Sequence, residues 1–260
     1  MAYGLTQADG AKERALLAPL FVGWEEMLVS CALEGCMGRV WQGASPARAA
    51  LCEVGDFLFL AGEAGPESDA LVRAFAEDGR YHILAAKTPA LHERSGAALA
   101  ELAQAGERYA FHKDAHGFDP ARLAALAQSL PEGVSLRLFD EHLYYAALAE
   151  EWSRDFVSLY PSARDYLAHG LGVAALYNGE LVGGASSYAW CRAGIEIELD
   201  TRADFRRRGI GTACAARLVL ECLRRGLLPS WDAANRESAR LAQRLGFREA
   251  GAYPVWFLNG

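Results

Sequence analysis

The stretch "DFRRRGIGTACAARLVLECLRRG", Asp204 to Gly226, sets three consecutive arginines against Gly-Ile-Gly in a chain of net charge -7. Either this is the solvated start of a surface helix, or its backbone is arranged to hold an anion. Ala215, Leu218, Val219 and Cys222 recur at i, i+3, i+4 and i+7, which predicts one buried helix face. Arg217, Glu221, Arg224 and Arg225 fall elsewhere on that helix, with Arg217–Glu221 and Glu221–Arg225 four residues apart. Gly226 is placed to end it. At the other end, unpaired backbone N–H groups and the helix dipole favour negative charge. Gly209 and Gly211 bring no Cβ to obstruct a close approach, and Arg206, Arg207 and Arg208 add longer-range attraction. A pyrophosphate suits this arrangement. Two other phosphate loops are excluded: GxxxxGK[ST] is absent. The dinucleotide fingerprint needs Gly or Ala where Cys214 stands, and a glycine directly after its strand, whereas here about seven residues intervene.

Composition narrows the partners. The 260 residues are 52% apolar and 23% charged, the balance of an ordinary globular protein. No apolar run approaches the roughly 20 residues needed to span a bilayer. The opening "MAYGLTQADGAKERALLAPLF" lacks the pattern of a signal peptide, so a cytoplasmic location is expected. Six cysteines form no CxxC pair and the six histidines no HExxH, so buried reduced thiols and no metal are expected. Residues 201–260 carry 11 Arg against five acidic residues, while the rest of the chain is strongly acidic. That asymmetry places an anion site in the last quarter and disfavours long nucleic acid. With only three lysines in the chain, arginine identity alone says little, and the glycines must carry the case.

Along the chain, strands are expected at "DFLFLAG", "YHILAA", "RYAFH" and "VSLRLF", with helices capped at Thr88-Pro89 and Asp119-Pro120. Asp140 caps a further helix, and Asn178-Gly179 turns a hairpin within "GVAALYNGELVGGASSYAW". "GIEIELDT" is the strand before the opening stretch, and "LLPSWD" is read as one strand after it. Asn235 then caps a helix with Ser238, Leu241, Ala242 and Leu245 inward, stopped by Gly246. A soft boundary near Pro131 divides an N-terminal α/β domain, residues 1–131, from residues 132–260.

From Val134 to the C-terminus the chain resembles the GCN5-related N-acetyltransferases. Arg206-Arg207-Arg208-Gly209-Ile210-Gly211 is similar to their Arg/Gln-x-x-Gly-x-Gly/Ala loop, which cradles the coenzyme A pyrophosphate. "NRESARLAQRLGF" is similar to their second signature, and the two occur in order with one helix and one strand between. "GIEIELDTRADFRRRGIG" followed by "WDAANRESARLAQRLGF" also resembles the subgroup that includes the zwittermicin A resistance acetyltransferase. The resemblance implies an α/β (α+β) fold with a mixed, mostly antiparallel sheet flanked by helices, preceded by the smaller N-terminal α/β domain. That domain has no RxxGxG, and a degenerate copy of the same fold is one reading of it.

The same resemblance implies acetyl-CoA as co-substrate. It assigns coenzyme contacts to Leu199, Asp200 and Thr201, to Arg206 through Thr212 (Ile210 among them), and to Asn235 and Ser238. In many members a Tyr seven residues after the motif Asn is the general acid, but here that position is Ala242, with Tyr188 and Tyr253 as unranked substitutes. A coenzyme A thiol, with a pKa of ~8.5, leaves without much help. For the base, Glu196 and Glu198 share one strand face by period two, with Ile195, Ile197 and Leu199 on the other. An ungapped alignment puts the family base at Ile195 or Ile197, so only a bulge would bring a glutamate to that facing. Asp232 is a third candidate. Tyr144, Tyr145, Trp152 and Phe156 read as core, and Glu150, Glu151 and Asp155 are placed to attract a cationic amine. The leading expectation is an N-acetyltransferase acting on a small-molecule amine, with a homodimer compatible and no membrane partner. A silent acyl-CoA sensor and a protein-modifying acetyltransferase stand beside it.

Overall fold

The computed structural model describes residues 4–43 and 45–260, so the first three residues of the stretch read as lacking a signal peptide lie outside it. Two compact units emerge. One comprises residues up to Arg108 together with Ala252–Gly260, and the other Tyr109–Gly251. The division falls well before the expected boundary at 131/132, because the helix after Asp119 packs into the second core through Leu123 and the last strand returns to the first unit.

The first unit contains β1 (Thr6–Gln7), α1 (Ala11–Phe21), α2 (Met27–Glu34), β2 (Arg39–Gln42), β3 (Ala49–Val54) and β4 (Phe57–Gly62). It continues with α3 (Pro66–Ala76), β5 (His82–Ala86), α4 (Pro89–Leu99) and the greater part of β6 (Ala103–Phe111). Strands β1 to β4 run antiparallel in sequence, and β4 pairs with β5 in parallel across the α3 crossover. Leu51, Leu58, Leu60, Leu71, Val72 and Leu84 fill its core.

The second unit contains α5 (Pro120–Gln128), β7 (Val134–Leu138), α6 (Glu141–Ala149), α7 (Ala163–His169), β8 (Gly172–Tyr177) and β9 (Glu180–Cys191). After these come β10 (Gly194–Thr201), α8 (Ile210–Arg225), β11 (Leu228–Ser230), β12 (Asp232–Ala233), α9 (Arg236–Leu245) and the start of β13 (Glu249–Leu258). Its five-stranded sheet runs β11-β10-β9-β8-β7, with β7 to β10 antiparallel and β10–β11 parallel. The two units therefore repeat one topology: four antiparallel strands with two helices after the first, then a helical crossover to a parallel fifth.

Local chemistry explains the elements. Thr88 Oγ1 accepts from Leu91 N–H, Asp119 Oδ1 from Ala121 and Arg122 N–H, and Asp140 Oδ1 from Leu143 N–H, which satisfies helix-start donors. Asn178 and Gly179 both take positive φ, 51° and 85°, as a tight hairpin turn requires. The expected face of α8 is buried, and its core closes with Ile195, Ile197, Val173 and Val182 from the sheet. "LLPSWD" is not one strand: Trp231 separates β11 from β12, and β12 pairs with Tyr109 and Ala110 at the end of β6. Among the described residues, no helix is long and apolar enough to cross a membrane.

Candidate active site

Strands β10 and β11 are paired only from Gly194/Leu228 to Glu196/Ser230. Beyond that point β10 runs on to Thr201 with β9 alone as its ladder partner among the described residues, while the chain after Ser230 turns to β6. The parallel pair thus opens like a V. At its mouth lies a cleft of about 530 Å³, bounded by the end of β10, the loop into α8, and α9.

The loop is shaped by its backbone. Arg207 and Gly209 take left-handed φ values of 60° and 82°, and Gly209 caps α8 with no side-chain acceptor of its own. Ala213 N–H donates to Gly209 C=O at 3.0 Å in the first turn of α8, and the residues from Gly209 to Thr212 line the cleft with the helix dipole behind them. A Cβ on Gly211 would meet Thr201 Oγ1 at 3.4 Å and Leu199 at 3.7 Å, ordinary contact distances. The fold itself does not demand glycine there, and the space it leaves belongs to the cleft. An apolar floor, helix-start amides and an arginine rim fit an elongated ligand with a pyrophosphate.

The three arginines divide their work. Arg206 Nε donates to Thr201 C=O at 2.8 Å and its terminal nitrogen to Asp200 Oδ1 at 3.1 Å, bracing the loop against β10. Arg208 donates to Asp204 C=O and stacks over Phe205 at 5.0 Å, and it does not line the cleft. Arg207 lines the cleft, and among the described residues its guanidinium has no ion-pair partner.

Of the twelve residues expected at the coenzyme, all but Arg208 line this cleft. Asn235 Oδ1 accepts from Ser238 N–H at 3.0 Å as the cap of α9. Ser238 and Leu241, read as inward, are half-buried walls of the cleft, and Ala239 takes the core position instead. Phe205, Glu237 and Leu241 also line it and were not among the expected site residues. Leu241 was legible one turn after Ser238, had the helix been read as facing a cleft as well as the core.

The acid–base candidates separate. Glu196 is 4% exposed at the apex of the V, where its Oε2 accepts from Ser230 Oγ at 2.5 Å and lies 3.9 Å from Lys113 Nζ. It does not line the cleft. Glu198, half-buried on the open part of β10, sits opposite Ser186 in the ladder and so shares its face. Ser186 Oγ bonds Tyr166 Oη and Phe156 C=O, which puts that face on the side of α7 and away from α8. Asp232 is paired into β12 and is not part of the cleft. A bulge does occur, but the extra residue is Tyr188 on β9, so Ile195 and Ile197 still face the α8 core and no glutamate takes their place. Ala242 is fully buried in that core. Of the two substitute tyrosines, Tyr188 is in the unit that holds the cleft, and Tyr253 belongs to the other.

Around the site, Tyr144 and Phe156 are core, as read, whereas Tyr145 is 56% exposed and Trp152 half-buried. Glu150, Glu151 and Asp155 are exposed. Five of the six unbridged cysteines are buried, and burial pushes the Cys214 and Cys222 thiols up to about 12. Behind the cleft, Glu221 collects Arg217 and Arg224 at 2.7 and 2.8 Å. Burial raises the Glu221 pKa, but hydrogen bonds from Arg224 and then Arg217 outweigh it, so the carboxyl ends below its ordinary value.

The family model for GNAT acetyltransferase matches residues 18–256, so the match takes in both units where the sequence resemblance began at Val134. Uncharacterized N-acetyltransferase YdfB of Bacillus subtilis (strain 168) is 27% identical over 130 residues, 49% of this chain and 49% of that protein. The match thus spans about half the length of this curated relative. A solved GCN5-related N-acetyltransferase-like protein from Streptococcus suis 89/1591 is 39% identical with a TM-score of 0.88, covering 96% of this chain and 100% of that one. A tandem GNAT protein from the clavulanic acid biosynthesis pathway shares the fold at 14% identity and a TM-score of 0.55, covering 98% of each chain.

Proposed function

The chain belongs to the GNAT acetyltransferase family, and we propose that it moves the acetyl group of acetyl-CoA to a primary amine of a small molecule. The observation that carries the reading is the cleft at the mouth of the β10–β11 opening, with the α8 amides at one side. The amides before Ala213, with Arg207, would hold the pyrophosphate. Leu199, Asp200, Thr201, Ser238 and Leu241 would flank the pantetheine arm. When bound, acetyl-CoA supplies a thioester whose thiolate leaves at a pKa of ~8.5. Glu198 is the proposed proton acceptor for the amine, directly or through one water: it is half-buried on β10 beyond the last β10–β11 rung, on the face opposite α8, whereas Glu196 is already committed to Ser230 beside Lys113 and Asp232 is paired with Ala110 on β6. Exposed Glu150, Glu151 and Asp155 would draw a cationic amine to the unit.

We propose further that the first unit is a copy of the same fold that takes no coenzyme. Its β4–β5 pair stays closed through Leu60/Ala86, and Lys87 N–H continues the ladder to Leu60 C=O at 2.9 Å. At the start of α3, Pro66 removes an amide, and the Glu67 carboxylate accepts from Gly43 and Arg48 N–H where an anion would have to sit.

The test is thiol release from acetyl-CoA over a panel of primary amines, for wild type and Glu198→Gln. Turnover with at least one amine, reduced on the order of 100-fold or more in the variant, supports the reading. Acetyl-CoA binding with no turnover over the panel favours a silent sensor, and full activity of the variant removes Glu198 from the mechanism.

A further inference from the structure

We propose that Lys113 is the positioning residue that keeps β10 and β11 apart, and thereby makes the slot for the pantetheine arm. The proposal rests on the acetyl-CoA reading above. Lys113 is one of three lysines in an arginine-rich chain, and its side chain is 9% exposed. A buried ammonium is tolerated only when hydrogen-bonded and paired. Here Nζ donates to Ser230 Oγ at 2.7 Å and to Trp231 C=O at 3.3 Å, with Glu196 Oε2 at 3.9 Å. Ser230 Oγ passes a hydrogen bond on to Glu196 at 2.5 Å.

Every one of these groups sits at the last rung of the β10–β11 ladder or one residue past it. Glu196 and Ser230 are the final paired residues, and Trp231 is the first residue of the divergence. Extending the ladder by one residue would draw Trp231 towards β10 and its carbonyl away from Lys113, costing the largely buried ammonium one of its acceptors. The next residues, Asp232 and Ala233, are held by Ala110 and Tyr109 on β6, and Lys113 follows β6 by two positions. The segment that captures β12 therefore also carries the lysine that takes the carbonyl at the fork. Closing the gap would take one hydrogen bond from this paired ammonium, so the gap is held open before any ligand arrives.

The experiment compares two probes by calorimetry: acetyl-CoA, and ADP, which has the pyrophosphate without the pantetheine arm. In Lys113→Met the hold on the Trp231 carbonyl is lost and the fork can narrow at Trp231, so acetyl-CoA affinity falls about ten-fold or more, the equivalent of one to two hydrogen bonds. ADP affinity stays within about two-fold, because the α8 loop is untouched. Should the uncompensated Glu196 prevent folding, the double variant Lys113→Met/Glu196→Gln leaves neither of these two charges at the fork and carries the same comparison. Unchanged acetyl-CoA affinity overturns the proposal, and so does an equal loss of both probes in a variant of native circular dichroism. Wild type that binds neither probe overturns the acetyl-CoA reading itself, and this proposal with it.

Discussion

Gly209 and Gly211 stand two residues apart on either side of the start of α8, yet replacing each with alanine should move stability in opposite directions. At Gly209 the obstacle is conformational: φ is +82°, and the nearest atom to a built Cβ is Ser129 O at 3.8 Å. Alanine in a left-handed conformation costs about 1–2 kcal/mol. At about 2–4 °C per kcal/mol for a chain of this size, Gly209→Ala should lower Tm by roughly 2–8 °C. Gly211 is helical, and its Cβ has room at 3.4 Å from Thr201 Oγ1. Removing the entropic cost of glycine in a helix yields up to about 1 kcal/mol, a rise of up to about 4 °C. The assay is thermal unfolding by circular dichroism without ligand, followed by acetyl-CoA titration of Gly211→Ala. That variant should bind within about three-fold of wild type, since one methyl at ordinary contact distance displaces little. A Gly211→Ala protein less stable than wild type, or a neutral Gly209→Ala, would refute the placement of the helix start between them.

Arg207→Ala should weaken acetyl-CoA binding with Tm unchanged, whereas Arg206→Ala should lower both, because Arg206 braces Thr201 and Asp200; paired titrations and melts read the difference. Glu221→Gln should cost about 1.5–3 kcal/mol at pH 7 by removing charge-assisted bonds to Arg217 and Arg224. Since the folded carboxyl lies below its unfolded value of about 4.3, that stabilisation is present above this pH and lost as pH falls through the lower folded pKa, so wild type and variant should converge in urea melts under acid. A thiol reagent at pH 8 should label half-buried Cys36 in the native protein and all six cysteines after denaturation, as the buried thiols hold their protons; native labelling of Cys214 or Cys222 would contradict their burial.

What the sequence disclosed follows from how local each signal is. Caps at Thr88, Asp119, Asp140 and Asn235, the Asn178-Gly179 turn and the α8 stripe are set by residues within a turn of one another, and all were legible. The cleft was legible for the same reason: its loop, cap and strand end are contiguous segments. Long-range pairing was not. Nothing local in "LLPSWD" shows that Trp231 leaves β10, because the cause is β6 and Lys113, more than a hundred residues earlier. Period two placed Glu196 and Glu198 on one face, but their different exposure depends on where the β10–β11 ladder stops. The two compact units divide at Arg108/Tyr109 and Gly251/Ala252, inside β6 and β13, whereas the boundary near Pro131 was read from composition, which carries no signal of where within a strand such a division falls.

The most direct test of the account is calorimetric titration of acetyl-CoA into wild type and Gly209→Asp. Aspartate tolerates the left-handed backbone, so the variant should fold, while its carboxylate adds negative charge at the helix start proposed to hold the pyrophosphate. The account predicts one site per chain in wild type and none measurable in the variant. Equal binding by the two proteins, or two sites per chain, would contradict it.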